Sequence, residues 1–187
     1  MLDFPIKDLI GIIKKEYGIK IFFAEDYPTV SDLEKGTPNF IISHLMRAKP
    51  PLVETPKIKI ETGEIVFFIN FLAFSWAVLY YLLTYYEKIH NACVKLICEG
   101  DDMEELPAEN RSLAENGEKL FFWALSLKMA YSTWPVEILK INFEDQYHKG
   151  MNRIWAATIA SLFTHEYGHV KLKHAESNSK NEKDADL

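Results

Sequence analysis

The sequence predicts an α+β fold in which a small, mainly antiparallel sheet is covered by helices. Two observations predict it: short apolar or alternating segments, and longer segments with apolar residues three and four positions apart. The chain has 187 residues, of which 48% are apolar, which is enough for one domain with a sizeable core and excludes a disordered chain. We therefore expect a single domain over residues 1–187.

The first half of the chain supplies one helix and three predicted strands. Residues 6–17 have apolar residues at helical spacing, and Gly18 follows where a C-terminal cap belongs. Residues 19–24 form a short apolar run and are predicted to be a buried strand. Residues 57–61 alternate isoleucine with charged residues, and residues 65–69 follow after a turn. These two segments are predicted to pair as a hairpin.

Residues 25–56 are predicted to be a loop, because five prolines interrupt them and their polarity is mixed. One helical turn is expected near residues 41–46.

Residues 65–86 are apolar enough and long enough to cross a bilayer. The predicted hairpin already includes residues 65–69, however, and Asn70 is a suitable N-cap for a helix that begins at Phe71. The flanking residues show no excess of lysine or arginine. We therefore predict a buried core helix, and a membrane-embedded protein remains the alternative.

The second half of the chain is predicted to contain two helices. Residues 99–110 are acidic and are interpreted as a solvated connecting loop. Residues 112–131 have an apolar stripe that ends before Pro135, and residues 152–174 form the last long helix.

The charge distribution excludes one class of function. The net charge is −6, and six of the acids lie between residues 99 and 109 without a neighbouring base. No basic surface is left for phosphate contacts, so nucleic-acid binding is not expected. Cys93 and Cys98 are too few for a disulfide framework and are interpreted as reduced core thiols, which predicts a cytoplasmic protein.

The last predicted helix carries the pattern H-E-x-x-H, formed by His165, Glu166 and His169. Residues four apart share one face of a helix, so the two imidazoles can bind one zinc ion. Glu166 lies beside that face, where its carboxylate can take a proton from water and pass it to a leaving amine. The alternative, which the sequence leaves open, is that His165 and His169 are satisfied polar residues on a partly exposed helix.

A second short pattern, E-x-x-A-D, begins 13 residues after His169. If it is helical, Glu182 and Asp186 share one face, so that Glu182 can bind the metal while Asp186 accepts the remaining ring N–H of a ligand histidine. A competing reading is a capping box in which Glu182 bonds back to Ser179. Gly168 within the helix indicates that another part of the chain packs very close there.

H-E-x-x-H followed by E-x-x-A-D is similar to the gluzincin metallopeptidases, and more narrowly the chain resembles the Lit-type phage-exclusion peptidases of bacteria. The resemblance covers about residues 57–187. It is carried by residues 64–66, 71–76, 132–135 and 154–174, and by Glu182 and Asp186.

The resemblance implies a zincin-like domain with zinc on His165, His169 and Glu182, and with Glu166 as the general base. It also implies a role in phage defence, in which a host translation elongation factor is the substrate. Because the family continues beyond the glutamate helix and this chain ends at Leu187, we expect a C-terminally truncated member.

We therefore expect a cytoplasmic zinc endopeptidase that cleaves a protein substrate, with a non-catalytic regulatory or interaction domain as the alternative. Nothing in the sequence brings His148 or Tyr147 to the site, and His174 is interpreted as a helix-end residue rather than an oxyanion donor. The sequence does not determine the oligomeric state.

Overall fold

The computed structural model describes residues 6–23, 39–43, 53, 55–90, 93–94, 97–98, 108–127, 146–173 and 185. The elements in chain order are α1 (Ile6–Tyr17), β1 (Ile21–Phe23), β2 (Asn39–Ser43), β3 (Lys57–Lys59), β4 (Glu64–Phe68), α2 (Ile69–Thr84), a π-helical segment (Tyr85–His90), α3 (Ala108–Leu127) and α4 (Gln146–Leu172). The α+β class is confirmed.

The four strands form one mixed sheet in the order β1-β2-β4-β3. β1 pairs with β2 and β2 pairs with β4 in parallel, whereas only β3 and β4 are antiparallel, as the predicted hairpin requires. The expectation of a mainly antiparallel sheet is therefore wrong. It failed because β2, which lies between β1 and β4 and makes both parallel pairings, was not predicted as a strand.

β2 lies within the segment predicted to be a loop with a helical turn, and that prediction is wrong for Asn39–Ser43. Phe40, Ile41 and Ile42 are all buried, so the strand is covered on both faces. A strand buried on both faces shows no alternation of polar and apolar residues, and its short apolar run does not reveal its conformation.

The first helix agrees with its prediction, and the start of α2 does not. Gly18 has a φ of 66°, and its N–H donates to the carbonyl of Lys14 at 3.1 Å, which caps α1. α2 begins at Ile69 directly after the extended Phe68, with no capping side chain, so the predicted N-cap at Asn70 is wrong. Asn70 lies buried in the first helical turn because β4 continues into the helix without a loop.

The boundaries of α3 and α4 also differ from the predictions. α3 begins at Ala108, so the acidic connecting loop does not extend to residue 110, and residues 99–107 lie outside the described part of the chain. The first turn of α3 is largely polar, so apolar periodicity does not reveal it. α4 begins at Gln146, six residues before its prediction, and this first part includes the buried His148 and Met151.

Cys93 and Cys98 are exposed free thiols, so their interpretation as core residues is wrong. The cytoplasmic location, which was partly inferred from them, stays a prediction.

α2 is fixed against α4 by four polar contacts that run antiparallel along the two helices. Three of them involve buried aromatic or imidazole groups of the core. The four contacts are Trp155 Nε1 donating to Ser75 Oγ at 3.1 Å, Trp76 Nε1 donating to Asn152 Oδ1 at 2.9 Å, Tyr80 OH with His148 Nε2 at 3.2 Å, and Thr84 Oγ1 with Tyr147 OH at 2.8 Å. Such directional bonds set the register between the helices.

Residues Ile69–Glu87 form a stretch that is long and apolar enough to cross a membrane, as the sequence indicated. In the described part of the chain, two sides of α2 pack on other helices. α4 contacts one side through the polar series, and Gly117 of α3 lies on another, where an added Cβ would be 3.6 Å from Tyr81 Cα. This packing agrees with the predicted core helix.

We predict that Asn152→Ala lowers the free energy of unfolding by about 1–3 kcal/mol, because it removes the buried acceptor of the Trp76 indole N–H. Thr158→Ala on the same helix is the control, since Thr158 is exposed and its hydroxyl bonds to Ile154 O within α4. That variant should change stability by less than about 0.5 kcal/mol. Urea unfolding measures both, and equal stabilities would contradict the structural role of Asn152.

Candidate metal centre on helix α4

The second half of α4 packs on the sheet through aromatic rings. Phe163 stacks on Phe40 of β2 with ring centroids 5.2 Å apart, and Phe40 stacks on Phe67 of β4 at 4.4 Å. All three rings are buried. This stack fixes the helix two residues before His165, so the histidine motif extends from a rigid support.

The turn between β3 and β4 lies beside the end of the motif. Gly63 has a φ of 69°, and a Cβ added to it would be 3.8 Å from Val170 Cγ1. The ion pair between Lys59 and the buried Glu64 links the two strands at this turn. Strand β3, which pairs only with β4 among the described strands, is thus brought next to the helix that carries the histidines.

His165 and His169 direct their Nε2 atoms at each other. The two nitrogens are 3.1 Å apart, the ring centroids are 4.8 Å apart, and the ring planes are inclined by 82°. His169 is 6% exposed, whereas His165 is half-buried. The i, i+4 spacing therefore produces two converging imidazoles, one buried and one half-buried.

This geometry fits a shared metal ion. Tetrahedral zinc with nitrogen ligands at about 2.0–2.1 Å holds two such nitrogens about 3.3 Å apart. The 3.1 Å between His165 Nε2 and His169 Nε2 is close to that value. In the absence of a metal, one ring donates its Nε2 proton to the other, so the same pair can share a proton or a cation.

Glu166 is half-buried and follows His165 by one position on α4. Successive residues of an α-helix are rotated by about 100°, so Glu166 lies beside the histidine face and not on it. The helix therefore places a carboxylate next to the two nitrogens, where it can act on a bound molecule without being a ligand.

Gly168 is in close contact with Ala185. A Cβ added to Gly168 would be 2.4 Å from the carbonyl oxygen of Ala185 and 2.8 Å from its Cα. Ala185 is 5% exposed. The expectation that another part of the chain packs very close at Gly168 is thus confirmed.

The other predicted site residues are distributed as follows. Glu182, Asp186 and His174 lie outside the described residues, and the described residues contain no group of three or more His, Cys, Asp or Glu that could hold a metal. Within α4, His148 is 17 positions from His165, or about 25 Å along the helix, so neither His148 nor Tyr147 belongs to this site.

The sequence profile of the peptidase U49 family, the Lit peptidase family, matches residues 65–187. The chain belongs to this family. The match covers two thirds of the chain, including β4, α2, α3 and α4. The U49 assignment confirms the resemblance to Lit-type peptidases and supports a peptidase function. No curated protein and no solved structure matches the chain.

The sequence did not reveal the residues that support the histidine motif of this U49 family member. Phe40 was assigned to a loop, although it lies between Phe67 and the α4 residue Phe163. Its signal was the apolar run of residues 40–42, which is too short to distinguish strand from helix. Gly63 was predicted as a turn residue, but its proximity to Val170 depends on tertiary packing that no local pattern encodes.

Proposed function

We propose that this U49 family member is a zinc-dependent endopeptidase, with His165, His169 and Glu182 as metal ligands in a zincin-like arrangement. The observation that carries the proposal is the convergence of the two histidine Nε2 atoms to 3.1 Å. Two nitrogens of neutral imidazoles are a common part of catalytic zinc sites, which add a third protein ligand and keep one position open.

The contact between Gly168 and Ala185 supports Glu182 as the third ligand. Glu182 precedes Ala185 by three residues, so its Cα lies within about 11 Å of Ala185 Cα whatever its conformation. Ala185, the fourth residue of the E-x-x-A-D pattern, packs against Gly168, the residue next to His169, and this contact supports the assignment of Glu182. Asp186 is proposed to accept the remaining N–H of a ligand histidine, which would fix the ring orientation.

A zinc ion in this position supplies a Lewis acid that polarises the scissile carbonyl and lowers the pKa of water. Glu166 is proposed as the general base: its carboxylate takes the proton of the attacking water and then delivers it to the nitrogen of the leaving amine. The position of Glu166 beside the histidine face suits this role, because a base must contact the water and leave the metal ligands undisturbed.

The outer edge of β3 in the described sheet is the proposed position of the substrate. β3 is an outer strand of the described sheet, and its turn to β4 lies beside Val170 just after the motif. An extended peptide can add to such an edge by backbone hydrogen bonds. A substrate bound there would have its backbone beside α4, as a protease that acts on protein chains requires.

The proposal is tested with Glu166→Gln and His169→Ala. Glu166→Gln should retain about one zinc per chain and lower peptide hydrolysis by about 10²–10⁴-fold, because an amide cannot accept the proton of water. His169→Ala should lose both the zinc and the activity. Elemental analysis measures the metal, and mass spectrometry of a digested peptide library measures hydrolysis.

His90→Ala is the matched control, because His90 is an exposed histidine on the π-helical segment, outside the site. It should match the parent protein in both measurements. Release of zinc by Glu166→Gln would show that the assignment of base and ligand is wrong. A parent chain that takes up no zinc on titration would favour the non-catalytic regulatory or interaction domain.

We further propose that the peptidase acts in phage exclusion on a host translation elongation factor, a role supported by membership of the Lit peptidase family. Phages should form fewer plaques on bacteria that express the parent chain than on bacteria that express the Glu166→Gln variant at the same level. Equal plaque numbers with a panel of phages, together with an intact elongation factor after infection, would contradict this role.

A further inference from the structure

A cavity of about 180 Å³ lies between α3 and the end of α2, where α2 continues into the π-helical segment. Its wall is mainly apolar and includes two tyrosine rings and one carboxylate. The lining residues are Tyr81, Thr84, Tyr85, Ile89, Ala114 and Glu118. An apolar cavity of about 150 Å³ already accommodates benzene, so this cavity has room for one six-membered ring with a small substituent.

The cavity follows from small residues on α3 and from the change of helix type after α2. Gly117 allows close packing, since a Cβ added there would be 3.6 Å from Tyr81 Cα and 3.7 Å from Thr84 Cβ. Ala114 lies on the same face of α3, one turn before Gly117, and lines the cavity opposite the π-helical segment. Short π-helical segments are frequent at functional sites.

Two tyrosine side chains give this wall an aromatic character. The ring of Tyr81 stacks on Phe121 of α3 with centroids 4.7 Å apart, so its position is fixed by packing. The ring of Tyr85 lies 6.3 Å from that of Tyr81 at an interplanar angle of 35°, and Tyr85 is 54% exposed. Tyr85 thus lies at the rim of the cavity. Aromatic rings attract cations through the negative charge of their faces.

The charge of the wall favours a cation as well. Glu118 is exposed, and none of the residues that the structure places in this wall is a lysine, arginine or histidine. A carboxylate at the rim of an apolar cavity attracts a cation and repels an anion. The chain has a net charge of −6, which also favours the approach of a cation. The ligand that suits both parts of the wall has an apolar body and a cationic end.

We propose that this cavity is a binding site for a small organic ammonium ion whose apolar part is about the size of one six-membered ring. The apolar part packs against Ile89 and Ala114, and the ammonium group lies near the tyrosine rings and Glu118. Few polar groups in a mainly apolar wall are typical of small-molecule sites, in which the polar groups orient the ligand.

The cavity is separate from the histidine pair. Thr84 lines the cavity, and its Oγ1 lies 2.8 Å from Tyr147 OH of α4. Tyr147 is 18 positions before His165 on the same helix, a distance of about 27 Å along its axis. The inference therefore does not rest on the proposed function, and loss of the metal site would leave it unchanged.

NMR titration of isotope-labelled protein with benzylamine tests the site, and benzyl alcohol is the neutral compound of matched shape. Benzylamine should shift the amide signals of Tyr85 and Ala114 with a Kd of about 0.1–1 mM, as expected for a ligand of this size. Benzyl alcohol should bind about threefold to tenfold more weakly, because it lacks the charge. Equal affinities would overturn the preference for a cation, and absence of saturable shifts at these residues would overturn the site.

Two pairs of exposed residues separate the contributions of charge and ring. Glu118→Gln should weaken benzylamine by about threefold to fivefold and leave benzyl alcohol unchanged, whereas Glu61→Gln, at the distant β3–β4 turn, should change neither. Tyr85→Ala should weaken benzylamine at least about threefold, and Tyr86→Ala, whose ring stacks on His90 outside the cavity wall, should not. Parent-like binding by both Glu118→Gln and Tyr85→Ala would overturn the proposed wall.

Filling the cavity provides an independent test. Ala114→Leu places a larger side chain in the space and should abolish binding of both compounds, whereas Ser112→Leu adds an apolar side chain at an exposed position of the same helix outside the wall and should bind as the parent does. Parent-like affinity in a folded Ala114→Leu variant would overturn the site. If Ala114→Leu fails to fold, the variants at the exposed Glu118 and Tyr85 still decide the question.

Discussion

The packing of α4 is the constraint on which the rest of the described structure depends. Its first half is bonded to α2 through buried polar groups, for which Trp76 and Asn152 are the best example, and its second half is stacked on the sheet through Phe163. The directional hydrogen bonds fix the rotation of α4 about its axis, and the aromatic stack fixes its distance from the sheet. The orientation of the motif at residues 165–169 follows from both, because a rigid helix transmits the register of one end to the other.

This support has a direct consequence for metal binding. The cost of ordering side chains is subtracted from metal affinity. His169 is buried, and its Nε2 already lies 3.1 Å from that of His165, so little ordering of these two rings remains. Glu182, the proposed third ligand, follows α4 in the sequence. Ala185, three residues after Glu182 in the sequence, packs on Gly168 beside His169, and we expect the zinc affinity to depend on this contact.

The features that were predictable from the sequence are those set by local geometry. The convergence of His165 and His169 follows from helical periodicity, and the close approach at Gly168 follows from the cost of glycine in a helix. The sheet order was not predictable, because β2 makes only long-range pairings and its buried residues carry no alternating pattern. Asn70 shows the same limit, since a residue with capping chemistry was placed inside the helix by the direct continuation of β4.

The central claim is that the two histidines share one metal ion, and anomalous diffraction at the zinc absorption edge tests it most directly. Crystals of protein loaded with zinc should show one strong anomalous peak at about 2.0–2.1 Å from both His165 Nε2 and His169 Nε2, with a carboxylate oxygen of Glu182 as the third protein ligand. A peak elsewhere, or no peak while the two Nε2 atoms stay in hydrogen-bond contact, would contradict the account.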